Sequence, residues 1–234
     1  MSHLSPAFWA VIPAAGVGAR MAADRPKQYL QLGGRSILEH SISCFLDHPG
    51  LKGLVVSVAF DDPFWPSLPC AADPRVVRVD GGRERADSVL NALLYLHAQG
   101  AADDDWVLVH DAARPNLSRE DLNKLLSELA DDPVGGLLAV PARDTLKRVD
   151  KQGRAVETVD RSLIWQAYTP QMFRLGALHR ALADSLVADA TITDESSAME
   201  WAGLAPRLIE GRSDNIKVTR PEDLEWLRLR WAKR

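Results

Sequence analysis

Two cations beside a run of small residues offer the clearest chemistry in this chain. The segment Ile12-Pro13-Ala14-Ala15-Gly16-Val17-Gly18-Ala19-Arg20-Met21 follows an apolar run from Phe8 and precedes Arg25-Pro26-Lys27-Gln28. Glycine has no Cβ, so backbone N–H groups in such a loop approach an anion closely. Arg20 and Lys27 place fixed positive charge beside those donors. Amides plus cations suit a nucleoside triphosphate, whose oxygens gain charge as a phosphoryl bond breaks. Two other glycine loops are excluded. The dinucleotide fingerprint G-x-G-x-x-G/A is met at Gly16 and Gly18 but fails at Met21, and the nearest acid, Glu39, lies in a helical pattern. The P-loop needs Gly-Lys-Ser or Gly-Lys-Thr, and this sequence has neither.

Other polar clusters fall where strand patterns end, which is where open α/β sheets bind ligands. Asp80-Gly81-Gly82-Arg83-Glu84-Arg85 precedes a helix with Ser88 near its start. The two glycines give access to a flat base, and the serine is able to read a base edge. Asp111 closes the apolar strand Val107-Leu108-Val109 and precedes Ala112-Ala113-Arg114-Pro115. A carboxylate there suits Mg²⁺ when phosphates supply the other ligands, or it caps its own loop. Lys217, in Asp214-Asn215-Ile216-Lys217, and Arg161 read equally well as solvated surface cations.

The elements that must position these residues alternate between strand and helix. That order predicts an α/β fold: a Rossmann-like, mainly parallel sheet with helices on both faces. Phe8 to Ile12, Leu54 to Phe60, Val76 to Val79, Trp106 to Val109 and Leu137 to Val140 read as strands. A capping box at Ser36-Ile37-Leu38-Glu39 opens one helix, Asp87 or Ser88 a second, and Ser118 a third. Asp144 to Asp160 breaks the alternation as a projecting β-hairpin turning at Asp150-Lys151-Gln152-Gly153. Its charged strands bury little, so it either meets a partner surface or folds back on its own domain. Regular structure resumes from Met172, with helices over Leu175 to Leu186 and Asp194 to Ala202. Short strands follow at Arg207 to Glu210 and Ile216 to Val218, then a closing helix after Thr219-Arg220-Pro221-Glu222.

Composition narrows the function classes. At 234 residues with 46% hydrophobic and 26% charged, the chain suits one globular domain over 1–234. A net charge of -4 gives no basic field for nucleic acid. No apolar run is long enough for a bilayer, and the N-terminus lacks a leader pattern, so a soluble cytoplasmic protein is expected. Cys44 and Cys70 form no metal or disulfide motif, and the six histidines are scattered.

The ordered motifs resemble the 2-C-methyl-D-erythritol 4-phosphate cytidylyltransferases, within the nucleotidyltransferase superfamily. The likeness runs through Pro13 to Gln28, Gly81 to Val89, His110 to Pro115, Asp144-Thr145, Thr158 to Arg161, Thr169-Pro170-Gln171, Thr193-Asp194-Glu195 and Asp214 to Pro221. The resemblance implies that an alcohol phosphate attacks the α-phosphorus of CTP and pyrophosphate leaves, with Mg²⁺ as cofactor. It implies that Arg20 and Lys27 stabilise the transition state while Arg161 and Lys217 position the incoming phosphate. Pro13, Ala14, Ala15, Gly16, Gly18, Gly82, Ser88 and Ala112 would hold the nucleotide. Arg114, Thr145, Arg161 and Thr193 would hold the acceptor, and Asp111 the metal. It also implies a homodimer joined through the 144–160 arm, with Arg161 reaching the partner's site. A relative acting on another alcohol phosphate, such as ribitol 5-phosphate, is the alternative.

Overall fold

The computed structural model describes residues 5–16 and 25–232, so the expected roles of Gly18 and Arg20 lie outside the described residues. The opening apolar run is β1 (Phe8–Pro13). A small antiparallel hairpin, β2 (Gln31–Leu32) and β3 (Arg35–Ser36), leads into α1 (Ile37–Leu46). The expected capping box closes its start. Ser36 Oγ accepts from Glu39 N at 3.2 Å, and Glu39 Oε2 accepts from Ser36 N at 2.8 Å. Next come β4 (Leu51–Val58), β5 (Val76–Asp80), α2 (Arg85–Ala98), β6 (Trp106–Val109), α3 (Arg119–Leu129) and β7 (Gly135–Pro141). The projecting arm is β8 (Leu146–Val149) and β9 (Ala155–Val159). The chain ends with β10 (Trp165–Arg174), α4 (Leu175–Val187), α5 (Glu195–Trp201), β11 (Arg207–Glu210) and α6 (Pro221–Trp231).

Seven strands form one sheet in the order β11-β7-β10-β6-β1-β4-β5. All run parallel except β10, which is antiparallel to both β6 and β7. The chain leaves β1 on one side for β4 and β5, then crosses to β6 on the other. Beside β1 it therefore makes a topological switch point, where a crevice opens at the carboxyl ends of the strands.

Side-chain alternation explains the two helical layers. Phe8, Ala10 and Ile12 pack with Leu38, Ile42 and Phe45 of α1 and with Leu122, Leu125 and Leu126 of α3. Val11 points the other way, into a core with Val89 and Leu93 of α2 and Leu178 and Leu182 of α4. Both faces of β1 are buried, so it reads as a continuous apolar run and not as an alternation. A third cluster, with Leu32, Ile37, Val218, Leu224 and Leu227, packs α6 onto the small hairpin. That cluster carries the Lys217 segment to the Lys27 segment.

Several expected boundaries move. β4 ends at Val58, and Phe60 lies 82% exposed beyond it. α2 begins at Arg85, earlier than the expected Asp87 or Ser88, because Glu84 is its N-cap and Asp87 the reciprocal partner. Ile216 to Val218 is not a strand. Its backbone is tied instead by Val218 N donating to Ala113 O at 2.8 Å. The long β10 begins at Trp165, before the expected Met172. Its exposed first half (Trp165 to Tyr168) lacks the apolar run that marks a buried strand.

At the far side of the sheet, β7 and β11 approach so closely that a Cβ on Gly136 would lie 1.9 Å from Arg207 O. Gly136→Ala should therefore cost about 1–3 kcal/mol of stability, the range for forced overpacking. Urea unfolding should show the loss. An unchanged midpoint would contradict the close packing of this edge.

Candidate functional site

Three strand ends build a cavity of about 250 Å³ at the switch point. β1 supplies Pro13 and the following Ala14, Ala15 and Gly16, β5 leads to Gly82, and β6 leads to Asp111 and Ala112. Ser88, Lys27 and Lys217 also line it. All the residues expected at the nucleotide that lie among the described ones thus meet in one place. Gln28 fixes the loop after β1, donating through Nε2 to Ala14 O at 2.6 Å and to Gly16 O at 3.0 Å. Gly81 is required by close approach, since a Cβ there would sit 2.3 Å from Ala15 Cβ. Ser88 Oγ accepts from Gly82 N at 3.0 Å and donates to Glu84 O at 3.1 Å, so it shapes the glycine turn. Lys27 Nζ donates to Val218 O at 3.1 Å, which joins the two lysine-bearing segments.

A second cavity adjoins the first and is lined by Arg114, Tyr168, Thr169, Gln171, Thr193 and Asp194. Arg85, Asp111 and Lys217 line both, forming a shared wall. Asp111 is 7% exposed. Its Oδ1 accepts from Arg85 Nε at 3.2 Å, and its Oδ2 faces Lys217 Nζ at 2.9 Å and Arg114 Nε at 3.3 Å. Burial alone would raise the carboxyl's pKa. The charges of Arg85, Lys217 and Arg114 outweigh that effect and hold it well below the usual carboxylate range. Arg114 is itself buried, donates to Asn215 O at 2.7 Å and lies 4.5 Å from the Tyr168 ring centroid.

Among the described residues, no group of three or more His, Cys, Asp or Glu is arranged to hold a metal. Asp111 Oδ1 takes one hydrogen bond and so keeps a lone pair. One protein carboxylate matches a Mg²⁺ whose other ligands are phosphate oxygens and water. Two acceptor-site expectations are not brought here. Thr145 and Arg161 are exposed at the arm and line neither cavity.

Arg85 and Glu195 are the site residues that sequence reasoning left without a role. Glu195 is fully buried and takes Arg85 Nη1 at 2.6 Å and Nη2 at 3.0 Å. A signal existed: Arg85 is the first helical residue of α2, where the helix dipole disfavours a cation. Starting the helix at Asp87 hid that conflict.

The family model of 2-C-methyl-D-erythritol 4-phosphate cytidylyltransferase matches residues 8–228. The chain belongs to this family. A protein of that name from Pseudomonas fluorescens (strain SBW25) is 86% identical over the whole of both chains. A crystal structure described as 4-diphosphocytidyl-2C-methyl-D-erythritol synthase is 42% identical with a TM-score of 0.83, covering 97% of this chain and 98% of that one. The Francisella tularensis cytidylyltransferase is 38% identical with a TM-score of 0.80, covering 94% and 97%. None of these relatives carries ribitol phosphate in its name, so that alternative gains no support.

In this member of the family the site's polar scaffold includes a fully buried histidine next to Asp111. Thr169 Oγ1 accepts from Asp111 N at 3.1 Å and lies 3.0 Å from His110 Nδ1, while His110 Nε2 lies 2.9 Å from Arg114 O. The carbonyl only accepts, so Nε2 carries the hydrogen and Nδ1 accepts from Thr169. Burial pushes the ring's pKa down from 6.5 to about 4. Between those values the unfolded chain binds a proton that the folded chain refuses. Stability should therefore fall by up to about 3 kcal/mol as pH drops from 6.5 towards 4. Urea titrations at a series of pH values should show a shallower slope for His110→Asn than for wild type. Identical slopes would contradict a neutral buried ring.

Proposed function

We propose that this chain transfers the cytidylyl group of CTP to 2-C-methyl-D-erythritol 4-phosphate and releases pyrophosphate, in non-mevalonate isoprenoid precursor synthesis. The observation that supports this reading best is the pair of adjoining cavities sharing Arg85, Asp111 and Lys217. One cavity carries the small-residue loop and Gly82 suited to a nucleotide. The other carries Arg114 and Thr193, suited to an alcohol phosphate. An oxygen of the acceptor phosphate attacks the α-phosphorus, and the bond to the bridging β-phosphate oxygen breaks. That nucleophile is already anionic, so positioning and charge neutralisation carry the reaction and no strong base is needed.

Lys27, with Arg20, stabilises charge growing on the triphosphate, while Lys217 and Arg161 position the acceptor phosphate. Mg²⁺ bound to the phosphates, with Asp111 as its protein carboxylate, would neutralise further charge. The protein works as one nucleotidyltransferase domain over 1–234 in the cytoplasm, on small molecules and not on nucleic acid or membrane. The net charge is -4, and among the described residues no helix is long and apolar enough to cross a membrane.

Two copies pair through the 144–160 arm. The arm's two strands leave Val149 and Val156 exposed, with Leu163 exposed in the loop that follows. A partner surface supplies the contacts that a lone hairpin lacks. Arg161 then reaches the partner's acceptor cavity.

Pyrophosphate release from CTP and 2-C-methyl-D-erythritol 4-phosphate tests the activity directly. In that assay Lys27→Ala should lower turnover about 10²-fold or more while CTP affinity changes little, as for loss of one charge-stabilising donor. Wild-type turnover in the variant would remove Lys27 from the reaction. Assembly is tested by refolding inactive Lys27→Ala and Arg161→Ala chains together. A mixed dimer gathers both defects in one site and leaves the other intact, so activity should recover to roughly one quarter of wild type. Mixed dimers without recovery would place Arg161 in its own subunit's site.

A further inference from the structure

Glu195 is a fully buried carboxylate whose two oxygens both hold Arg85, at 2.6 and 3.0 Å. Arg85 is half-buried, with its side chain 27% exposed, and an ion pair that buries a carboxylate is a weak source of stability, because desolvation offsets most of the attraction. Apolar residues would fill the same space as well. The pair therefore calls for a second role, and the third side of the guanidinium indicates one. With Nη1 and Nη2 fixed on Glu195, the planar group has its Nε held 3.2 Å from Asp111 Oδ1. The other Asp111 oxygen holds Lys217 and Arg114. Glu195 is thus the anchored end of a relay: Glu195 to Arg85, Arg85 to Asp111, Asp111 to the two cations that line the second cavity.

We propose that the Glu195–Arg85 pair is a positioning device for Asp111, and through it sets Lys217 and Arg114 for capture of the acceptor phosphate. The inference rests on the reading of the second cavity as the acceptor's. Glu195 lines neither the nucleotide cavity nor the acceptor cavity, so its influence on a substrate passes through Arg85. Without its anionic anchor, Arg85 turns both prongs onto Asp111 and competes there with Lys217 and Arg114. With Arg85 changed to lysine the charge stays, but one ammonium cannot hold a bidentate carboxylate and also orient Asp111.

The test compares wild type with Glu195→Gln, Arg85→Lys and the apolar double variant Arg85→Met with Glu195→Leu. Steady-state KM values are measured for both substrates. Calorimetry measures acceptor binding in the presence of the α,β-methylene analogue of CTP, which cannot release pyrophosphate. Each variant should raise the acceptor KM and dissociation constant about tenfold or more, the scale on which an outer partner affects the groups it orients. In Glu195→Gln, whose residue lines neither cavity, the acceptor KM should rise several-fold more than the CTP KM. The double variant takes one of three cations from Asp111, so its melting temperature should fall, and binding is measured below it on folded protein; the split between the two substrates then separates positioning from a purely structural role. Equal changes in both KM values, or unchanged acceptor binding in a folded variant, would overturn the proposal. A wild type that binds the acceptor but releases no pyrophosphate would instead overturn the proposed reaction, and calorimetry would still judge the pair.

Discussion

One buried carboxylate organises this molecule. Asp111 sits just beyond a central strand, where burial leaves water little access to its charge and cations take its place. They come from far apart in the chain: Arg85 from the start of α2, Arg114 from its own loop, and Lys217 from just before α6. Arg114 is buried with Asp111, while Arg85 and Lys217 are partly exposed, so removing Arg114 costs most, on the scale of about 3–5 kcal/mol for breaking a buried pair. The same contacts therefore hold three chain segments together and build the wall between the two cavities. With Glu195 included, the cluster has three positive and two negative groups and keeps one unit of positive charge. A cluster with surplus positive charge suits anionic ligands on either side.

The sheet explains why this point was available. β1 and β6 are neighbours whose outward connections leave in opposite directions, so no helix covers the crevice at their ends. Loops entering that crevice are stiffened by side chains and not by regular structure. Gln28 bonds two carbonyls of the loop after β1, Ser88 braces the Gly82 turn, and Thr169 links the backbone of Asp111 to His110. The bonds to Ala14 O, Asp111 N and the His110 ring satisfy groups that would otherwise be buried unpaired. Preorganisation of this kind lets fixed amides and cations act without rearranging when charge develops.

Much of this was legible in the sequence, and the exceptions share a cause. Strong local signals survived: the continuous apolar run of β1, the Ser36 capping box, and the glycines at 81 and 82, where neighbours leave no room for a Cβ. The small-residue loop, Lys27, Asp111 and Lys217 converge as the motifs implied. What the sequence hid depends on contacts over long separations. Glu195 and Arg85 are 110 residues apart, and the one local mark, a cation in the first turn of α2, does not say which residue it pairs with. The segment Ile216 to Val218 has strand-like composition, but its pairing partner is the loop at Ala113 and not a sheet edge. The first half of β10 is exposed, so the apolar pattern that marks a buried strand was never there to read.

The arm ties these observations to charge balance. A phosphate monoester near neutral pH carries about two negative charges, whereas the cluster around Asp111 holds a surplus of one. A further cation on the proposed acceptor side would bring the two charges closer to balance. Arg161 is exposed at the base of the arm and lines neither cavity of its own chain. The arm also holds apolar side chains in water, with Val156 65% exposed and Leu163 88% exposed. One arrangement answers both deficits. In the proposed pair the arm would lie on a second copy, its apolar residues would leave solvent, and its arginine would move towards the other copy's site. Burial would supply the affinity of that proposed pair, and the arginine would make the proposed acceptor site depend on its assembly.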